Sequence, residues 1–169
     1  MVKRLTEQRL LNITLFYLSR YESSTEKVRA MLKRRIKRME MRGEEVPAEA
    51  PTWIESVLKK VQDYSYVNDD RYAENQVRTL VEQGRSERFI CAKLGNAGIK
   101  PEKIRELLEA IGSTEEERAR RFVFKKKIGP YRPESVRNQY QKKDMAALAR
   151  AGFSYEVVQT VLKSSDDFS

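Results

Sequence analysis

Two stretches of this 169-residue chain, LGNAGIKPEKIRELL at 94–108 and LARAGFSYEVVQTVL at 148–162, carry the same pattern. Leu148 aligns with Leu94, and Gly152 aligns with Gly98. Both glycines are followed by an apolar residue. A leucine followed four residues later by glycine and an apolar residue is typical of a helix that ends at the glycine and turns into the next helix. The sequence therefore predicts that one type of helical corner is built at least twice.

The same pattern extends to the amino-terminal part of the chain, where SSTEKVRAML at 23–32 aligns with RSERFICAKL at 85–94. These echoes predict an all-α fold of three tandem three-helix repeats, stacked into an elongated, curved array. The predicted repeats are 1–67, 68–112 and 113–163. The first contains an insertion at about 35–51, the third a Pro/Tyr linker at 128–140, and 164–169 is expected to form a frayed tail.

Residues that begin and end helices occur throughout the sequence, and no long stretch alternates polar and apolar residues as a strand would. Serines that precede apolar-periodic runs are predicted N-caps, and Ser113 with Glu116 has the spacing of a capping box. The predicted N-caps are Ser24, Ser86, Ser113 and Ser154. Glycines predicted to end helices are Gly43, Gly84, Gly98, Gly112, Gly129 and Gly152. We therefore expect structural roles for Gly98 and Gly152.

Composition favours a polyanionic partner, because the net charge is +9 and the chain contains 34 Lys and Arg. Residues 1–67 carry a net charge of +5, residues 68–112 a net charge of 0 and residues 113–169 a net charge of +4. The chain has no histidine and one cysteine, so we expect neither an internal disulfide nor a zinc site. No apolar run is long enough to span a bilayer, which favours a soluble, cytoplasmic protein without membrane contacts. We also expect a monomer.

Two strongly basic runs are candidate binding surfaces for a protein partner or for DNA. KVRAMLKRRIKRMEMR at 27–42 has eight basic residues and one acid, and RARRFVFKKK at 118–127 has six basic residues and no acid. A helical wheel predicts exposed basic stripes on both. The candidate residues are Lys27, Lys33, Arg34, Lys37 and Arg38 in the first run and Arg118, Arg121 and Lys125 in the second. The alternative is that both stripes are only solvated helix faces.

The sequence contains no pattern typical of an enzyme active site. It lacks phosphate-binding glycine motifs and a histidine base, so we predict no catalytic residue, no metal and no cofactor. The adjacent carboxylates Asp69 and Asp70 have no partner for catalysis, and we interpret them as caps of the helix that follows.

Several segments, in this order, resemble the bacterial RecX family, whose members regulate the recombinase RecA. They are LFYLSRYESSTEKVRAML, VNDDRYAENQVRTL, RSERFICAKLGNAGI, EEERARRFVFKKKIG and ARAGFSYEVVQTVL. The most specific piece is Asp69-Asp70-Arg71-Tyr72-Ala73, which we expect to be structural. The resemblance implies three triple-helix repeats. It also implies a non-enzymatic protein that lies in the groove of the RecA–DNA filament and suppresses ATPase, strand exchange and filament extension. It thus points to DNA repair, recombination and the SOS response, with DNA bound weakly or through the filament.

An alternative function is that of a free-standing helical DNA-binding regulator, in which a helix at 86–96 or 100–111 enters a DNA groove. The middle repeat has no net charge, whereas a recognition helix is usually basic. This observation favours the recombinase regulator.

Overall fold

In a computed structural model of the chain, which describes residues 4–163, the structure is all-helical. Within this range no residue lies in a β-strand. The helices are α1 (Glu7–Leu18), α2 (Thr25–Met41), α3 (Ala50–Asp63), α4 (Asp69–Glu82), α5 (Glu87–Gly95), α6 (Pro101–Ile111), α7 (Glu115–Lys126), α8 (Glu134–Arg150) and α9 (Tyr155–Lys163), with a 3-10 turn at Gly129–Tyr131. The predicted frayed tail, 164–169, lies outside the described residues.

The corner pattern that opened the sequence analysis forms the same backbone geometry in both copies. The Ile99 N–H donates to the Leu94 carbonyl at 3.0 Å, and the Phe153 N–H donates to the Leu148 carbonyl at 3.2 Å. Gly98 and Gly152 both have positive φ, 81° and 93°. These bonds close helix ends in the Schellman manner. Both leucines are fully buried, so the two stretches have the same local structure.

Three helices lie within each of the predicted segments 1–67, 68–112 and 113–163, but packing divides the chain only once. The division falls between Tyr72 and Ala73, inside α4. In the first unit α3 packs against α1 and α2, and in the second α9 packs against α7 and α8. Each unit has its own apolar core, with Leu10, Leu32 and Val57 in the first and Phe122, Leu148 and Val158 in the second. The three-repeat stack stays a prediction.

Most of the predicted helix starts are confirmed, and the exceptions are shifts of a few residues. Ser24, Ser86 and Ser154 accept hydrogen bonds from backbone N–H groups in the first turns of their helices. The capping box, however, consists of Thr114 and Glu117, so its prediction at Ser113 and Glu116 was off by one residue. Two such pairs overlap in the sequence STEEE, and spacing alone does not choose between them.

The Pro/Tyr linker is shorter than predicted. Residues 134–140, assigned to the linker from the sequence, form the first turns of α8, which begins directly after Pro133. Gly129 has a positive φ but does not end α7, because Lys127 takes the left-handed C-cap position there. The insertion at 35–51 extends α2 to 17 residues, against nine in α5, and adds the loop before α3.

Candidate interaction surface

Helix α2 presents a basic outer face in the first unit. Its buried side is formed by Val28, Leu32, Ile36 and Met39. The predicted candidates Lys27, Lys33, Arg34, Lys37 and Arg38 are all exposed. Within residues 4–163 no ion pair involves any of these five side chains. The amphipathic pattern of α2 therefore turns its cations towards solvent, where they are available to an anionic partner.

Arg29 differs from these cations because acidic side chains neutralise it. Its guanidinium forms a two-pronged contact with Glu55, at 2.9 Å to Oε1 and 3.1 Å to Oε2, and also bonds Glu26. The hydrogen bond from Arg29 is the main cause of the lowered pKa of Glu55, which burial opposes. Arg29 thus fastens α2 to α3 and is not part of the basic face.

The Asp69–Ala73 segment fixes the start of α2, which carries that face. The Asp69 carboxylate accepts hydrogen bonds from the Thr25 N–H at 2.7 Å and from the Thr25 hydroxyl at 3.1 Å. Asp69 therefore caps α2 and not α4, contrary to our interpretation from the sequence. Asn68 caps α4 by accepting from the Arg71 N–H, and Asp70 is exposed. The capped helix was misassigned because Thr25 lies 44 residues away in the chain.

The remaining residues of this segment make contacts that are consistent with a structural role. Arg71 pairs with Glu22 at 3.2 Å, and Tyr72 and Ala73 are buried. The Lys27 ammonium lies 5.3 Å from the centre of the Tyr72 ring. Lys27 therefore contributes to packing at the start of α2 through a cation–π contact, besides facing solvent.

The second predicted stripe, on α7, is only partly exposed: Arg121 and Lys125 face solvent, but the expectation was wrong for Arg118. Arg118 is only 3% exposed and donates to the Ser113 carbonyl. Arg121 donates to the Val81 carbonyl at 3.2 Å, and Lys125 donates to the Glu82 carbonyl at 2.9 Å. The last carbonyls of a helix have no partner within it, and cationic donors stabilise that end. Arg121 and Lys125 thus cap the carboxyl end of α4.

The burial of Arg118 also affects its electrostatics. Burial lowers the pKa of the Arg118 guanidinium, and the charges of Glu115, Glu87 and Glu117 raise it in opposition. A cation buried to this extent is a structural element of the second unit and is not accessible to a partner. Arg118 lies on the buried side of α7 with Ala119, Phe122 and Val123, which a helical wheel of the basic run did not show.

Phe124, by contrast, is 61% exposed and stands edge-on to Tyr131, with ring centres 5.2 Å apart. The two rings, together with Glu117, Arg120 and Arg121, line an open pocket of about 290 Å³. In the described part of the chain no cluster of potential metal ligands occurs. Among the same residues, no helix is both long and apolar enough to cross a membrane.

The sequence analysis missed a group of arginines near the end of α2. Arg35, Arg38 and Arg42 lie with Arg9 of α1 around a pocket of about 200 Å³. Only Arg38 was among the predicted candidates. The spacing of 35, 38 and 42 places these residues on one face of a helix, which was a usable signal. The contribution of Arg9 could not be found in this way, because it comes from a different helix.

Comparisons with known proteins identify relatives across most of the chain. No family model matches it. The Regulatory protein RecX of Myxococcus xanthus is 35% identical over 160 residues, which are 92% of this chain and 85% of that protein. The Regulatory protein RecX of Geobacillus thermodenitrificans is 33% identical over 110 residues, 64% of this chain and 40% of that protein.

Two solved structures have a similar fold. A crystal structure of a regulatory protein RecX has a TM-score of 0.63 at 22% identity and covers 94% of this chain and 73% of its own. RecX from Lactobacillus salivarius has a TM-score of 0.60 at 24% identity and covers 93% of this chain and 94% of its own. Together with the sequence identity to the Myxococcus protein, which extends over nearly the whole chain, these likenesses lead to one conclusion: the chain belongs to the RecX family of regulatory proteins.

Proposed function

We propose that this protein regulates the RecA recombinase, mainly as an inhibitor, and has no catalytic activity of its own. It would bind in the groove of the RecA–DNA filament and suppress ATP hydrolysis, strand exchange and filament extension in the cytoplasm. The observation that carries the proposal is the 35% identity to a Regulatory protein RecX over 92% of the chain. DNA would be contacted weakly or through the filament.

The basic outer face of α2 supports this proposal physically. Its five cations project from a helix whose other side is anchored in an apolar core, so they stand on a rigid support. Exposed cations attract acidic protein grooves and phosphates alike, and salt screens both attractions. We therefore propose Lys33, Arg34 and Lys37 as the main contacts on this face, with Lys27 and Arg38 at its edge.

The cations of α7 contribute less to the proposed binding surface than the sequence suggested. Arg121 and Lys125 are solvent-accessible but already bond the carbonyls that end α4. Reversing their charge would remove these bonds, so that a loss of binding could not be distinguished from a loss of structure. Experiments on binding should therefore begin with α2.

The deciding experiment measures RecA ATPase on single-stranded DNA during a titration with this protein. We expect inhibition at substoichiometric amounts, beside little or no shift of the same DNA when RecA is absent. Unchanged ATPase at a twofold excess would contradict the proposal. A strong shift of DNA alone together with unchanged ATPase would instead favour the free-standing DNA-binding regulator.

A triple charge reversal, Lys33→Glu, Arg34→Glu and Lys37→Glu, tests the basic face. One exposed charge typically contributes about 1 kcal/mol or less to binding, so three reversals should raise the half-inhibitory concentration about tenfold or more at low salt. The melting temperature should change little because none of the three side chains enters the core. A matched control reverses Arg88, Lys93 and Lys100 in the second unit, which are also exposed. Equal inhibition by both variants would show that the α2 face is only solvated.

A further inference from the structure

A pocket of about 200 Å³ lies beside the carboxyl-terminal part of α2. Its wall consists of four arginines, one methionine and one acid: Arg9, Arg35, Arg38, Met39, Arg42 and Glu44. All six belong to the first unit. Met39 is buried, while Arg35, Arg38 and Arg42 are exposed.

The local structure explains why these side chains meet. Residues 35, 38 and 42 follow the i, i+3, i+7 spacing that places side chains on one helix face. Gly43, with φ of 70°, turns the chain directly after the helix, and the Glu44 N–H then donates to the Met39 carbonyl at 3.0 Å. Arg9 is supplied by α1, which packs against α2. The pocket therefore depends on two helices and one left-handed corner.

The charge of this wall is strongly unbalanced. Four guanidinium groups stand around one carboxylate, and no ion pair between described residues engages the three α2 arginines or Glu44. Like charges that line one pocket repel one another, and a bound anion would relieve that repulsion. An arginine fork donates two parallel hydrogen bonds to an oxyanion, which makes a cluster of such forks selective for phosphate-like groups.

A purely structural explanation accounts for only part of the cluster. Basic side chains near the end of a helix interact favourably with its dipole. Two of the arginines also bond backbone carbonyls: Arg38 Nε donates to the Arg34 carbonyl at 3.4 Å, and Arg9 Nη1 donates to the Arg4 carbonyl at 3.5 Å. The dipole, however, corresponds to about half an elementary charge at the helix end. Three arginines on α2 and a fourth on α1 supply several times that charge, so the helix end alone does not explain them.

We propose that this pocket binds a phosphate group, held by the guanidinium groups of Arg9, Arg35, Arg38 and Arg42. Its volume equals that of several water molecules, since one water occupies about 30 Å³ of liquid. A single phosphate therefore fits, with part of the molecule that carries it. The source is either a free phosphate compound or a phosphodiester of a DNA strand. The proposal is independent of RecA and concerns a site separate from the outer face formed by Lys33, Arg34 and Lys37.

The test uses the full chain and two anions at constant ionic strength. Calorimetry measures the affinity for pyrophosphate, and fluorescence anisotropy measures the affinity for a labelled thymidine octanucleotide without terminal phosphates. The pocket variant is Arg35→Gln with Arg42→Gln. The matched control is Arg78→Gln with Arg105→Gln, which removes two exposed arginines from other helices. Both double variants have the same net charge, so a difference between them reports the position of the arginines.

We expect the pocket variant to bind at least one of the two anions about tenfold more weakly than the parent, and the control to stay within about twofold. Selective loss for pyrophosphate identifies a free phosphate compound as the source, and selective loss for the octanucleotide identifies a phosphodiester. If the parent binds neither anion, or if both double variants bind alike in both arms, the proposal is overturned. Should the pocket variant be unfolded by circular dichroism, Arg35→Lys with Arg42→Lys replaces it. That variant keeps the charge and loses the two-pronged geometry, so weaker binding is again the expected result.

Discussion

Gly84 provides the sharpest test of how the second unit is packed, because α4 ends there against the backbone of α7. Gly84 has φ of 73°, and a methyl group added to it would lie 2.8 Å from both the Arg118 carbonyl oxygen and the Phe122 amide nitrogen. Backbone atoms cannot rotate away as a flexible side chain can. We therefore expect Gly84→Ala to push α4 and α7 apart or to prevent the left-handed turn.

The magnitude follows from comparison with Gly112, which ends α6 in the same unit. Gly112 has φ of 69°, and a methyl group there would meet nothing within 4 Å. Both substitutions carry the cost of a left-handed alanine, about 1–2 kcal/mol. Gly84→Ala adds the cost of overpacking, about 1–3 kcal/mol. We expect a loss of about 3 kcal/mol for Gly84→Ala and of about 1 kcal/mol for Gly112→Ala.

Urea denaturation followed by circular dichroism measures both free energies of unfolding. The slopes of the unfolding transitions should agree between the two variants, so that the midpoints report stability. Equal losses for Gly84→Ala and Gly112→Ala would refute the close approach of α4 and α7, since only that contact distinguishes the two positions.

Two further substitutions in the second unit test its charged interior. Asp144 accepts hydrogen bonds from Arg132 and from the Gly129 N–H at 2.8 Å. Burial raises the pKa of its carboxyl, but these partners outweigh burial and hold the pKa below its ordinary value. The stability that this lowered pKa contributes is present above the ordinary pKa of aspartate, about 3.9, and is lost as pH falls through the lower folded-state pKa. The parent should therefore lose its stability advantage over Asp144→Asn when urea midpoints are measured at decreasing pH. An undiminished advantage at low pH would contradict this linkage. Arg118→Glu should cost about 3 kcal/mol or more in the same assay because it places an acid in a buried site. Its control, Lys126→Glu on the exposed side of α7, should cost about 1 kcal/mol or less, and equal losses would mean that Arg118 is not buried.

Family membership and the exposed basic face rest on different kinds of observation. Membership in the RecX family comes from relatives that match the chain over most of its length. The five exposed cations on α2 are a physical property of this chain, and the arginine pocket beside them is a second one. Measuring RecA inhibition and phosphate binding on the same variants will determine whether the two surfaces act together or separately.

The sequence alone determined the helices and most of their ends. A capping serine or a corner glycine acts through hydrogen bonds to residues at most five positions away, so Ser24, Ser86 and the corners at Gly98 and Gly152 could be predicted from local spacing. The periodicity of α2 likewise predicted which of its cations are exposed, because its buried stripe is formed by apolar residues spaced three or four apart.

Only the tertiary structure decided the roles of charged residues that are buried or that bond distant backbone groups. Arg118 and Arg121 are cationic and lie on a regular helix, so a helical wheel predicts that both belong to an exposed stripe. The burial of Arg118 and the bonding of Arg121 depend on the close approach of α7 to the end of α4, where Gly84 leaves room for the α7 backbone. In the same way, Asp69 reaches α2 and Arg9 joins three arginines of another helix. Such contacts arise from the packing of whole helices, which local spacing does not encode.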